Sequence, residues 1–201
     1  MTTQRGTKHV PRLNKERLQN EAAALRFIHC VCPEIPVPRF YRALEVDGMI
    51  TEYVTGVGMT GLSKGEKKVV TEELLRYVDM LHRIKSKTTG SPDPEVEGPV
   101  IPPYRAMAAD DRKYTWPRKT SDKEEYVFCH NDLSQANVIV DAKILKIKAI
   151  VDWEYAGFWP EWFEMRIWER VGRSVAPERF GRGIMGRRCL SFLIASLKYT
   201  P

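Results

Sequence analysis

The chain has 201 residues, of which 43% are hydrophobic and 29% are charged, and its net charge is +6. This composition predicts a soluble globular protein with enough apolar residues for a core, built as one domain or two small lobes. The apolar run at residues 189–197 is too short to span a bilayer, and the N-terminus lacks a secretory apolar stretch. We therefore expect a cytoplasmic protein with no membrane partner. The charge favours an anionic partner without specifying one.

Two helices are predicted from apolar residues at helical spacing. The first spans residues 14–29. Its apolar face consists of Leu18, Ala22, Leu25 and Ile28. The second follows Ser63 and Glu66, which form the capping-box pattern of a helix N-terminus. Its apolar face consists of Val70, Leu74, Val78, Leu81 and Ile84.

Two hairpins are also predicted. Apolar runs on both sides of Asp47 and Gly48 indicate the first. Residues 138–140 and 145–151 form the strands of the second, joined at residues 141–144. In this second hairpin, Asn137 at the start and Asp152 at the end are expected at the same open end. The Pro- and Gly-rich residues 88–103 are expected to form a surface loop.

The segment "FCHNDLSQANVIVD", residues 128–141, places polar residues directly before the second hairpin. Asn137 and Asp152 offer oxygen ligands of the kind that magnesium takes together with substrate phosphates. Asp132 is expected beside that metal. A carboxylate there can accept a proton from a hydroxyl group, or orient it, during attack on phosphorus. The spacing therefore predicts one aspartate that faces an acceptor and one that holds a metal.

The segments "HNDLSQAN" and "IVDWEYAGF" resemble the catalytic loop and metal-binding segment of the aminoglycoside phosphotransferase and choline kinase family, relatives of the protein kinases. This resemblance implies an ATP- and magnesium-dependent O-phosphotransferase. Asp132 would be the catalytic base or hydroxyl-orienting residue, and His130 would brace the catalytic loop. Asn137 and Asp152 would coordinate magnesium.

The resemblance continues upstream through "EAAALRFI" and the first hairpin. It implies that Glu21 pairs with a phosphate-binding lysine, for which Lys8 is the candidate. It also implies a hinge at Glu52, Tyr53 and Val54 whose backbone binds adenine. The expected fold is α+β, a protein-kinase-like two-lobe fold. Residues 1–54 would form an abbreviated N-lobe, and residues 55–201 a mainly helical C-lobe.

One departure from the family pattern leaves alternatives open. Seven residues precede Lys8, whereas the family places a Gly-containing strand pair there to cover the ATP phosphates. The chain could be a truncated form, a shortened gene product or a degenerate kinase. The main alternative function is therefore an inactive pseudokinase or scaffolding module. A nucleic-acid-binding protein is the weaker alternative, because the basic residues 179–188 are its only supporting feature.

The acceptor is expected to be a small hydroxylated molecule of unspecified identity. From Glu164 to the end, basic residues outnumber acidic ones, which disfavours a polycation such as an aminoglycoside. Glu154, Glu161 and Glu164 nevertheless follow the predicted metal site and could bind an amine. The oligomeric state is left open.

Overall fold

The computed structural model describes residues 12–44, 48–93, 100–108, 116–170, 188–189 and 191–193. Three helices are α1 (Asn14–Val31), α2 (Lys64–Arg83) and α3 (Tyr104–Ala108). The strands are β1 (Phe40–Leu44), β2 (Gly48–Thr51), β3 (Val57–Gly58), β4 (Lys85–Ser86), β5 (Tyr126–Cys129), β6 (Val138–Asp141), β7 (Lys146–Ile150) and β8 (Gly157–Trp159). Single 3-10 turns lie at Met59–Gly61, Gln135–Asn137, Glu161–Phe163 and Ile167–Glu169. This mixture of helices and small sheets confirms the expected α+β class.

Helix α1 begins at the predicted residue and runs two residues beyond the predicted end. Its predicted apolar face is only partly correct, because Leu18 is half-buried while Asn20 and Glu21 are buried. The helix therefore buries two adjoining faces. One carries Leu25 and Ile28 into the main core. The other carries polar side chains against the segment that follows β7.

Helix α2 starts at the capping box that the sequence predicts. The Ser63 backbone N–H donates to the Glu66 carboxylate at 2.8 Å, and the Glu66 N–H donates to the Ser63 hydroxyl at 3.4 Å. The buried apolar face contains Val70, Leu74, Val78 and Leu81, as expected, whereas Ile84 lies just past the last helical residue. This face joins the main core with residues from α1, β5, β6 and β7.

Three small antiparallel sheets organise the strands. The pair β1–β2 is the first predicted hairpin, with residues 45–47 of its connection outside the described residues. The other two sheets have the strand orders β3-β6-β7 and β4-β5-β8. In the second predicted hairpin, Val138 pairs with Ile150, and the Val151 N–H donates to the Asn137 carbonyl at 2.9 Å. The strands therefore end together, which confirms that Asn137 and Asp152 share one end.

The described parts of residues 88–103 do not form the expected surface loop. Thr89 and Gly90 are buried on one side of the segment, and residues 100–103 are buried on the other. Isolated bridges join Gly90 to Phe158 and Val100 to Trp116. The Pro and Gly content indicated irregular backbone correctly. It gave no sign that tertiary hydrogen bonds would hold this backbone inside the protein.

None of the helices within the described ranges is long and apolar enough to cross a membrane. Lys8 and nearly all of the basic segment 179–188 lie outside the described residues.

Candidate functional site

The loop after β5 brings the predicted site residues together. All four residues of β5 are buried, so the chain leaves the core directly into residues 130–137. The 3-10 turn at its end positions Asn137 so that its amide Nδ2 donates to the Asp132 carbonyl at 2.8 Å. The same Nδ2 lies 3.4 Å from a carboxylate oxygen of Asp132 and 3.4 Å from one of Asp152. One amide thus links the two aspartates that the sequence assigned to different roles.

Asp152 follows β7 in a left-handed backbone conformation with φ 68°. Aspartate tolerates this region better than most residues do, yet it is uncommon for any residue except glycine. Burial raises the pKa of Asp152 to about 6, and the nearby Glu154 charge adds to the increase. Arg17 and the Asn137 amide oppose it. The site therefore holds a carboxylate whose negative charge is incompletely compensated.

His130 is fully buried, and its ring lies between the backbone of residue 132 and the segment after β7. Its Nδ1 accepts the Asp132 backbone N–H at 3.2 Å, so the neutral ring carries its proton on Nε2 and donates it to the Val151 carbonyl at 3.0 Å. Burial lowers the pKa of His130 to about 4. A neutral ring with both nitrogens occupied is suited to bracing the loop.

Glu164 was not predicted to hold the catalytic loop. Its carboxylate accepts the backbone N–H groups of His130 and Asn131. Burial raises its pKa to about 7, against the opposing effects of these hydrogen bonds and of Arg105. The Arg105 guanidinium also donates to the Asn131 carbonyl at 2.7 Å and to the Phe163 carbonyl. Only the chain's return through residues 161–164 brings Glu164 here, and no local pattern in the sequence signals it.

The three glutamates considered as an amine site have different partners. Glu154 forms an ion pair with Arg17. Glu161 is exposed and lies 3.7 Å from His82. Glu164 is 9% exposed and bonded to the loop. Glu161 and Glu164 both lie near His82, whereas Glu154 is paired with Arg17 of helix α1, so the three carboxylates do not share one partner.

His82, Cys129 and Glu164 also approach one another, with donor atoms within 4.8 Å. Cys129 is a free cysteine, and burial raises the pKa of its thiol well above the usual value, which disfavours a metal-binding thiolate. The Glu164 carboxylate already accepts backbone N–H groups, and Arg105 lies close enough to influence its charge. These contacts favour a brace behind the catalytic loop over a metal centre.

Helix α1 supplies a second set of contacts that sequence reasoning missed. The Asn20 side chain donates to the backbone carbonyls of Glu154 at 3.0 Å and Ala156 at 2.8 Å. Glu21, predicted as a phosphate-lysine partner, accepts the Trp153 N–H at 3.3 Å. Burial raises the pKa of Glu21 to about 7, with Asp152 and Glu154 adding to the increase. The helix is thereby fastened to the residues that follow Asp152.

A pocket of ≈ 210 Å³ lies between these elements. The predicted hinge residues Glu52, Tyr53 and Val54 line it together with Glu21 and Asp152. Apolar lining comes from Leu25, Pro38, Ile139 and Val151. The structure therefore places every described member of the predicted nucleotide site around one cavity. Asn137 and His130 lie beside it through their contacts with Asp152 and Val151, and Asp132 contacts Asn137.

The residues at this end of the β6–β7 hairpin fit a magnesium ion. Asp152 offers a hard carboxylate oxygen in an environment with uncompensated negative charge. The Asn137 amide carries a second hard oxygen, Oδ1, at the same end of the hairpin, while its Nδ2 donates to the Asp132 carbonyl. Asn137 and Asp152 would hold the ion.

Comparisons with known proteins agree with this arrangement. The model of the phosphotransferase enzyme family, APH, matches residues 7–165. No curated protein matches the chain significantly in sequence. A solved aminoglycoside-3'-phosphotransferase of type VIII superposes with a TM-score of 0.53 at 18% identity, covering 92% of this chain and 74% of that one.

Two solved structures of a thermostable mutant of aminoglycoside phosphotransferase APH(4)-Ia are similar as well. One is a ternary complex with ADP and hygromycin B, with a TM-score of 0.50, 15% identity and coverage of 90% of this chain and 70% of that one. The other is a ternary complex with AMP-PNP and hygromycin B, with a TM-score of 0.52, 17% identity and coverage of 90% and 69%. These likenesses confirm the protein-kinase-like fold expected from the sequence. From the extent of the family match, the chain belongs to the phosphotransferase enzyme family that includes the aminoglycoside phosphotransferases.

Proposed function

We propose that this protein is an ATP- and magnesium-dependent O-phosphotransferase that acts on a small hydroxylated molecule. The carrying observation is the Asn137 amide, which lies 3.4 Å from carboxylate oxygens of both Asp132 and Asp152. A metal-holding group and a hydroxyl-accepting group are thus adjacent, as transfer of a phosphoryl group to an alcohol requires.

Within this proposal, each residue has a separate task. Asp132 accepts or orients the acceptor hydroxyl, because its carboxylate stands at the edge of the site beside Asn137. His130 does not exchange protons with substrate, since both ring nitrogens are occupied in the loop. Asn137 and Asp152 hold magnesium, which when bound neutralises negative charge on the nucleotide phosphates.

The nucleotide would occupy the pocket between α1 and the β6–β7 hairpin. Its wall at Glu52, Tyr53 and Val54 offers backbone groups for adenine, and its opposite side carries Asp152. The nucleotides in the ternary complexes of the similar aminoglycoside phosphotransferase support this assignment by analogy of fold. Lys8 remains the candidate phosphate-binding lysine, paired with Glu21.

We also propose that the lobes meet near Val54. On the N-terminal side, α1 and the β1–β2 hairpin pack together, and on the C-terminal side β3 joins the sheet of β6 and β7. A nucleotide pocket lined from both sides of this boundary agrees with such a division.

The acceptor is proposed only at the level of a small hydroxylated molecule. Hygromycin B is the aminoglycoside bound in the similar structures. In this chain Glu154 is paired with Arg17 and Glu164 is buried, so neither carboxylate is available to a polycationic acceptor. Only Glu161 of the three glutamates is exposed, so we favour a neutral or singly charged alcohol.

Thermal unfolding with and without ATP and magnesium tests the nucleotide and metal site. A ligand at a hundred times its dissociation constant stabilises the folded state by about 2.7 kcal/mol. We expect a magnesium-dependent rise in the melting temperature of the wild type and its loss in Asp152→Ala. The variant Asp141→Ala, at the opposite end of the same hairpin, should keep the shift. No shift in the wild type would contradict the proposal and favour a kinase-like scaffold.

Turnover against a panel of small alcohols tests the role of Asp132. We expect Asp132→Ala to lower kcat by about 10²- to 10⁴-fold, the usual contribution of a general base, while the ATP-dependent thermal shift persists. Phosphate transfer to the acceptor, followed by mass spectrometry, measures this effect. Equal kcat in the variant and the wild type would exclude Asp132 as the residue that activates the hydroxyl.

A further inference from the structure

The side chain of Asn20 is 2% exposed, although it is polar and lies on a helix near the protein surface. Its amide has two N–H donors, and both are used on the backbone of one short segment. The acceptors are the carbonyls of Glu154 and Ala156, which lie two and four residues after Asp152. An apolar side chain would suffice to fill a buried position on a helix, so the two hydrogen bonds of Asn20 need an explanation.

The segment held by Asn20 directly follows Asp152, which has an uncommon backbone conformation. Asp152 has φ 68°, and the chain then turns through Glu154 and Tyr155, closed by the Ala156 N–H donating to the Trp153 carbonyl at 2.9 Å. A left-handed residue persists only where its surroundings overdetermine it. The two carbonyls bonded by Asn20 lie within this turn and at its last residue, so they fix the turn relative to α1.

Neighbouring residues of α1 reinforce the same attachment. One helical turn before Glu21, Arg17 pairs with the Glu154 side chain and lies 4.9 Å from the Tyr155 ring centroid. Glu21 accepts the Trp153 N–H. These contacts depend on charge or on a single 3.3 Å hydrogen bond, whereas Asn20 supplies two neutral bonds that do not change with protonation. Asn20 is therefore the constant part of the attachment.

We propose that Asn20 is a positioning residue that holds Asp152 in its metal-binding orientation. The inference rests on the proposed function, because it assigns Asn20 a task only if Asp152 holds a metal. Asn20 touches neither metal nor nucleotide in this assignment. It acts through the backbone of residues 153–156, much as outer-shell hydrogen bonds orient metal ligands elsewhere.

The test compares nucleotide affinity with and without metal. A fluorescent ADP analogue is titrated into the protein in EDTA and in excess Mn²⁺. The dissociation constant in EDTA divided by that in Mn²⁺ measures the metal contribution. We expect Asn20→Ala to lower this ratio by about tenfold or more, the usual effect of removing an outer-shell partner. Affinity in EDTA should stay within about twofold, because the adenine-binding wall is unchanged. Gln19→Ala, at an exposed neighbouring position of α1, is the matched control and should match the wild type.

A ratio in Asn20→Ala equal to that of the wild type would overturn the inference. An equal loss of affinity in EDTA and in Mn²⁺ would also overturn it, because that result indicates a general structural role. If Asn20→Ala does not fold, Asn20→Ser, which replaces the amide by one hydroxyl on a shorter side chain, is measured in the same way and decides by the same criterion. A wild type that binds the analogue equally with and without Mn²⁺ removes the metal role of Asp152 and the inference with it. A wild type that binds no nucleotide defeats the proposed function itself.

Discussion

Burial shifts the pKa values of several ionisable residues in this site. Glu21, Asp152 and Glu164 all have a raised pKa, and burial is the largest cause for each. His130 responds to burial in the opposite direction and stays neutral, because loss of hydration penalises whichever form is charged. Folding therefore removes water from the ionisable groups around residues 130–137, which disfavours their charged forms.

Glu164 should make stability depend on pH. Its pKa is raised from 4.5 to about 7, so the folded state binds the proton more tightly than the unfolded state does. This contribution is fully present below about pH 4.5 and is lost as the pH rises through about 7. Chemical denaturation across this range should show Glu164→Gln losing less stability than the wild type, by roughly 3 kcal/mol for a shift of this size.

The exposed Glu161→Gln provides the control for that series, because its side chain is 74% exposed and it lies on the same turn. Its stability should follow the wild type at each pH. If Glu164→Gln and the wild type have parallel stability profiles between these pH values, the buried carboxyl is not the titrating group.

At the scale of elements, the helices show how far periodicity reaches. The capping box and the spacing of apolar residues predicted α2 almost to the residue, because both are local properties of the chain. For α1 the spacing of apolar residues predicted the helix and its core-facing side, but not the burial of Asn20 and Glu21. The second buried face exists only because the segment after β7 packs against it.

The capping box of α2 should contribute measurably to stability. Ser63→Ala removes the hydroxyl that accepts the Glu66 N–H, and we expect a loss of about 1 kcal/mol in the free energy of unfolding. Ser63→Asp keeps a side-chain acceptor at the helix start and should remain within about 0.5 kcal/mol of the wild type. Urea denaturation of the three proteins measures the difference, and equal loss in both variants would show that the cap hydrogen bond is unimportant here.

At the scale of the whole molecule, β5 connects distant parts of the chain. It pairs with β4 on one side and β8 on the other. Beyond β8, Gly90 exchanges two backbone hydrogen bonds with Phe158, at 2.9 and 2.8 Å. The segment expected on the surface is thereby packed behind the loop of residues 130–137.

Gly157→Ala tests this close packing. A Cβ at Gly157 would lie 2.4 Å from the Gly90 carbonyl oxygen, so the two backbones would have to separate. We expect a loss of roughly 1–3 kcal/mol in stability, typical of overpacking. Gly65→Ala, in the first turn of α2 with no atom within 4 Å of the added Cβ, should be neutral or stabilising by up to about 1 kcal/mol. Thermal melts of both variants measure this contrast, and an unaffected Gly157→Ala would mean that the segment at Gly90 moves freely.

The resemblance of the sequence to a known family implied the α+β class. The sequence by itself determined both long helices, the two hairpins and the shared end that carries Asn137 and Asp152. These features follow from short-range periodicity, from turn residues and from the fact that a hairpin starts and finishes at the same end. All three depend only on residues close in sequence. Tertiary structure alone decided that Asn20 bonds to residues 154 and 156, that Glu164 accepts the loop N–H groups, and that residues 88–90 and 100–103 are buried. The physical reason is that a buried polar group needs a partner, and that partner can come from any part of the folded chain.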